Sequence, residues 1–140
     1  MKILLAVDGS AYTRKMLDYV GANKTLFDAS HTYTLLNAQA PLPPHVRSNL
    51  GATAASDYHS DEAAKVLQPA KEALESHGLG CTAEFKVGPL GETIADYARD
   101  NGYDMIIMGS HGHGALGRVL MGSVSSDVLA KCGIPVLLIR

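Results

Sequence analysis

Residues 104–127, DMIIMGSHGHGALGRVLMGSVSSD, carry the residue types and spacings best suited to chemistry. The uncharged run Met105-Ile106-Ile107-Met108 predicts a buried strand. Five glycines follow it, at 109, 112, 114, 117 and 122, and Gly122-Ser123-Val124-Ser125 opens a helical pattern. A strand, a glycine-rich loop and a helix start, in that order, suit an anion. Glycine lets backbone come close to a ligand, and a helix start offers unpaired N–H groups and the positive end of a dipole. A phosphate is the first expectation. The plain alternative is a turn that binds nothing, but five glycines exceed what a turn requires.

Two familiar glycine motifs fit this loop poorly. Gly112-His113-Gly114-Ala115-Leu116-Gly117 satisfies G-x-G-x-x-G, yet the acidic partner expected about 20 residues on falls in the apolar C-terminal strand. The same stretch is a near miss to the P-loop, with Arg118 and Val119 where Lys and Ser/Thr belong, which excludes a conventional P-loop NTPase. Arg118 is either a phosphate partner or a solvated charge. His111 and His113 have no evident third metal ligand and are expected to be solvent-facing loop residues. Ser123 could be only a helix cap, and Asp8 could serve only to end its strand or cap the next helix. His31, His45, His59 and His77 form no constellation, and Met16, Met105, Met108 and Met121 read as packing. Cys81 and Cys132 show neither metal spacing nor a disulfide framework, so buried thiols in a reducing cytoplasm are expected.

The elements that must position the loop follow from the rest of the chain. Its 140 residues suit one domain, 1–140, and 46% apolar content suits a packed core. A net charge of −2 gives no electrostatic case for nucleic acid or an anionic membrane. The apolar run 3–7 is too short for a signal peptide or a membrane span and reads as a buried strand. Asp8-Gly9-Ser10 is a turn, with Ser10 as N-cap of a helix whose stripe is Met16, Leu17 and Val20. Residues 32–38 predict the second strand. Residues 39–58, with Pro41, Pro43, Pro44 and Gly51, show little pattern and predict a long loop of the kind often used as a lid. A helix is expected over 60–77, kinked or split at Pro69. Residues 81–87 read as a strand, 90–101 as a helix with Gly102 past its end, and 136–139 as a last strand. Alternation of this kind gives a parallel sheet with helices on both faces, and a crevice outside the carboxyl ends of its strands. If the strands ending at Asp8 and Gly109 are neighbours at the switch point, both face that crevice.

A third pattern covers the loop: Gly109-x2-Gly112-x9-Gly122-Ser123. With Val7-Asp8-Gly9-Ser10 after the first strand and Ile134-Pro135-Val136-Leu137-Leu138-Ile139 at the end, it resembles the nucleotide-binding branch of the universal stress protein family over the whole chain. The resemblance implies a doubly wound, Rossmann-like sheet of five parallel strands in order 3-2-1-4-5, similar to the adenine nucleotide alpha hydrolases. It implies ATP or AMP between the ends of the first and fourth strands. Phosphates would lie on the backbone of Gly112, Gly122, Ser123, Val124 and Ser125, with the hydroxyls of Ser123 and Ser125 as extra donors. Met108 and Gly109 would approach ribose and base. Ala6, Asp8 and Ala38 would line the adenine pocket, and Mg could bridge the phosphates to Asp8. Ala38 is smaller than the branched residue common there. A cytoplasmic, stress-linked binding module is the leading expectation, with no catalytic residue assigned. A slow ATP hydrolase or phosphotransfer enzyme is the first alternative, and a nucleotide-free protein-interaction module is the second. The apolar edge strand 136–139 adds a homodimer to the expectation.

Overall fold

The computed structural model describes residues 1–113 and 120–140. Gly114, Gly117, Arg118 and Val119, used by two of the motif readings, lie outside the described residues. In chain order the elements are β1 (Lys2–Ala6), α1 (Ala11–Ala22), β2 (Thr32–Gln39), α2 (Pro44–Ser76), β3 (Cys81–Val87), α3 (Leu90–Asp100), β4 (Met105–Gly109), α4 (Ser123–Lys131) and β5 (Val136–Ile139). The strands form one parallel sheet in the order β3-β2-β1-β4-β5. The fold expected from the sequence is therefore the one observed.

Alternation along the strands divides the core between the two faces. From β1, Ile3 and Leu5 point to the layer of Met16, Leu17, Val20, Ala70 and Leu74, on α1 and α2. Leu4 and Ala6 point the other way, to Ile94, Ala98 and Val128 on α3 and α4. Strand β1 is covered on both faces and paired on both sides, which is why its run is apolar without interruption. The sheet winds one way from β1 through β2 to β3 and the other way through β4 to β5. The switch point therefore falls between β1 and β4, where Ala6 pairs in register with Met108.

Two expectations along the chain need correction. Residues 39–58 are not a long loop. Strand β2 continues to Gln39, and α2 starts at Pro44 and runs 33 residues to Ser76. Proline at the first position of a helix loses no hydrogen bond there, so Pro44 begins the helix that it seemed to forbid. The first turns of α2 are mostly exposed, so they lack the apolar stripe by which a helix shows itself in sequence. Nor does α2 split into two helices at Pro69. The backbone stays helical there, because Pro69 and Lys65, whose carbonyl loses its donor, are both exposed and water can serve that carbonyl. The interruption is at Gly51, with φ 83° and ψ 167°. That combination is open essentially to glycine alone.

Candidate functional site

The turn after β1 is tied by Asp8. One carboxylate oxygen, Oδ1, accepts from the Ser10 N–H at 2.9 Å and from the Thr13 hydroxyl at 2.7 Å. Ser10 caps α1 as expected, its hydroxyl accepting from the Thr13 N–H at 3.3 Å. Gly9 sits at φ 79°, which lets the chain turn sharply into the helix. The other oxygen, Oδ2, looks across the switch point, where a Cβ added to Gly112 would stand only 2.7 Å from it. Asp8 therefore does build the turn, and it still presents one oxygen to the loop after β4.

That loop is held against β1 and α1 by its histidines. The His113 Nε2–H donates to the Asp8 carbonyl at 2.6 Å. The His111 ring lies 4.8 Å from the Tyr12 ring, and its Nδ1 is 2.8 Å from the Ser110 hydroxyl. His113 is exposed, as expected, while His111 is half-buried, and both make contacts that fix the loop. Gly109 serves packing first: a Cβ there would come within 2.6 Å of the Tyr12 Cβ.

Helix α4 opens on the same space. Its N-cap is Gly122, which has no side chain to cap it, and Ser123 is the first helical residue. The N–H groups of Ser123, Val124 and Ser125 meet no acceptor among the described residues. Free amides at an uncapped helix start attract an anion, with the helix dipole adding to the pull. The Ser125 hydroxyl does not join them as a donor. It is buried and turned to the Gly109 and Ser110 carbonyls, 3.1 Å from each, so it braces the end of β4. Ser123 is exposed, and its hydroxyl remains available.

These elements enclose a cleft of about 900 Å³ at the carboxyl end of the sheet. Ala6, Asp8, Ala38, Met108, Gly109, Gly112, Gly122, Ser123, Val124 and Ser125, the ten candidates from sequence, all line it. Leu36, Leu90 and Ile94 add an apolar wall. The sequence reading missed the far wall, which α2 supplies through Tyr58, Glu62 and Val66. Their spacing of four residues places them on one helix face; Glu62 and Val66 fall in the helix expected over 60–77, and only Tyr58 falls in the loop expected before it. A polar chain clamps this wall to the sheet. Asn37 donates to the Val7 carbonyl at 3.0 Å, and Gln39 donates to the Asn37 side chain at 3.1 Å and to the His59 carbonyl at 2.8 Å. The His59 Nδ1–H in turn donates to the Gln39 Oε1 at 2.7 Å. Among the described residues, Asp8 and Glu62 are the only carboxylates in the lining, and no Lys or Arg joins them. Cys81 and Cys132 lie outside the cleft and are half-buried, less covered than expected. Burial and the nearby Glu75 push the Cys81 thiol pKa up.

Comparison with known proteins gives a consistent picture. The sequence matches the universal stress protein family over residues 1–140. The universal stress protein Slr1230 of Synechocystis is 32% identical over 139 residues, covering 99% of this chain and 42% of that relative. The chain thus spans less than half the length of that relative, but the match to YxiE of Bacillus subtilis, at 26% identity, covers 98% of it. Among solved structures, MJ0577, a protein of Methanocaldococcus jannaschii, superposes with a TM-score of 0.80 at 31% identity, covering 99% of this chain and 94% of that one. A universal stress protein from Archaeoglobus fulgidus in complex with dAMP gives a TM-score of 0.72 at 21% identity, covering 100% and 98%. An Arabidopsis thaliana family protein with AMP bound gives 0.69 at 18% identity, covering 99% and 90%. The likeness to these last two is one of fold.

Proposed function

This chain belongs to the universal stress protein family, and from that premise we propose that it binds an adenine nucleotide, ATP or AMP, in the cleft between β1 and β4. The observation that carries the reading is the start of α4: three amides without acceptors among the described residues, behind a glycine cap, at one end of a cleft whose α3 side is apolar. Phosphates would take the amides of Ser123, Val124 and Ser125 and the backbone of Gly112 and Gly122. The base would lie towards Ala6, Leu36, Ala38 and Met108. The dAMP and AMP carried by two proteins of the same fold support the choice of ligand class.

Magnesium suits the site in one arrangement. The free Asp8 oxygen is a hard donor of the kind Mg takes, and among the described residues no group of three or more His, Cys, Asp or Glu stands ready to hold an ion alone. An ion would therefore need the phosphates of ATP as its other ligands. Bound there, it would offset the charge between Asp8 and the phosphates.

The cellular role is a cytoplasmic, stress-linked regulatory module, working as a homodimer. Slow ATP hydrolysis at the same site is the second reading. It is less favoured because Arg118 and Val119 stand in the sequence where a P-loop has its Lys and Ser/Thr. Nucleotide extracted from protein purified without added ligand tests the proposal. Adenine nucleotide at near one per chain is expected. A preparation free of nucleotide that also fails to bind added ATP or AMP by calorimetry would leave the third reading, a protein-interaction module.

A further inference from the structure

We propose that Glu62 is a specificity residue that reads the ribose diol of the bound nucleotide. The inference rests on the nucleotide reading of the cleft and deepens it.

Glu62 can be placed from its neighbours on α2. Val66, four residues on, packs beside Gly9, its Cγ2 3.4 Å from where a glycine Cβ would stand. Tyr58, four residues back, adjoins His59, which is bonded to Gln39 at the end of β2. Each step of four residues advances about 6 Å along the helix. Glu62 therefore hangs from the wall between the turn after β1 and the end of β2. The phosphate-binding amides of α4 lie across the switch point, beyond β4. With phosphates on those amides, the nucleoside half of the ligand faces α2.

A carboxylate in that position selects hydrogen-bond donors and repels anions. The nucleoside half offers donors in two places, the sugar hydroxyls and the exocyclic amine of the base. The apolar surround of Leu36, Ile94 and Met108 suits the base, which leaves the sugar for the polar wall. Asp8 is poorly placed to do this work alone. Its Oδ1 is spent on Ser10 and Thr13, and its Oδ2 faces Gly112. Glu62 commits Oε1 to Lys65 at 2.9 Å, three residues on, and keeps Oε2 for a ligand. A carboxylate that accepts from a ribose hydroxyl is a general device for reading a nucleotide sugar.

The test is a calorimetric comparison of AMP, 2′-deoxy-AMP and inosine 5′-monophosphate on wild type and Glu62→Gln. The wild type should prefer AMP over 2′-deoxy-AMP by about tenfold, as expected for a hydrogen bond to a charged acceptor. In Glu62→Gln that preference should fall to about twofold, while the preference of AMP over inosine monophosphate stays as it was. The variant should melt as the wild type does, because an exposed pair three residues apart on a helix adds little stability. An AMP to 2′-deoxy-AMP ratio unchanged by the substitution overturns the role of Glu62 and leaves the cleft assignment standing. A change confined to the inosine arm also overturns it, in favour of base reading. Absence of any nucleotide binding to the wild type removes both.

Discussion

Ser123 and Ser125 stand two positions apart and do different work. The Ser125 hydroxyl, buried, links two carbonyls at the end of β4. Ser125→Ala leaves both without that donor, and urea unfolding should show a loss of about 2 kcal/mol. Ser123 is exposed at the cleft. Ser123→Ala should unfold as the wild type does and weaken nucleotide binding by about 1 kcal/mol, since the backbone donors remain. Gly112 gives the cleaner probe of the cleft. A Cβ there would force the Asp8 carboxylate aside from 2.7 Å, so Gly112→Ala should cost about tenfold in ATP affinity, or about 1.4 kcal/mol, with little change in melting temperature. Gly122 is less suitable, because its Cβ would press on main chain, 3.2 Å from the His111 Cα and 3.3 Å from the Ser110 carbonyl. A valine there would disturb the fold together with the site.

At the scale of elements, α2 is the part that sequence misread and the cleft depends on. It is interrupted at Gly51, and Pro41 and Leu42, in the short link that leads into it from β2, line the cleft. No atom lies within 4 Å of a Cβ built on Gly51, so packing does not require glycine there; the backbone angles do. Gly51→Ala should therefore lower stability by about 1 to 3 kcal/mol in urea unfolding, through backbone strain alone. An alanine variant as stable as the wild type would mean that the two helical segments can join without cost. The polar chain from Val7 through Asn37 and Gln39 to His59 then fixes the remainder of α2 against the sheet, and with it Tyr58 and Glu62.

For the whole molecule, the two sheet edges differ in kind. Strand β3 is an edge with Glu84 and Lys86 exposed along it, the charged pattern that discourages further pairing. Strand β5 is the other edge, Val-Leu-Leu-Ile, uncharged and half-buried at every residue. A second copy pairing through β5 about a two-fold axis would close that edge. Sedimentation at micromolar concentration should then give a mass near twice 14.8 kDa. A clean monomer would overturn the homodimer. Turnover of ATP should stay below about 1 s⁻¹, the low end of ordinary enzymes, as measured by phosphate release.

The sequence by itself determined the order and kind of most elements, because apolar runs and helical stripes register in composition. It also marked the glycine loop, because each glycine spacing is a local fact of the chain. What it misjudged was α2, whose first turns are exposed and carry two prolines in positions that a helix start tolerates. It could place Asp8 and Ser125 near the loop but not divide their work, since a hydroxyl or carboxylate is spent or free only according to what folds against it. Tertiary structure made that division: Ser125 turned inward to β4, Asp8 tied one oxygen into its own turn, and Glu62 came over the cleft from a helix 46 residues before Met108. Such contacts join residues far apart in the chain, and only the sheet order with β1 beside β4 brings their elements to one edge.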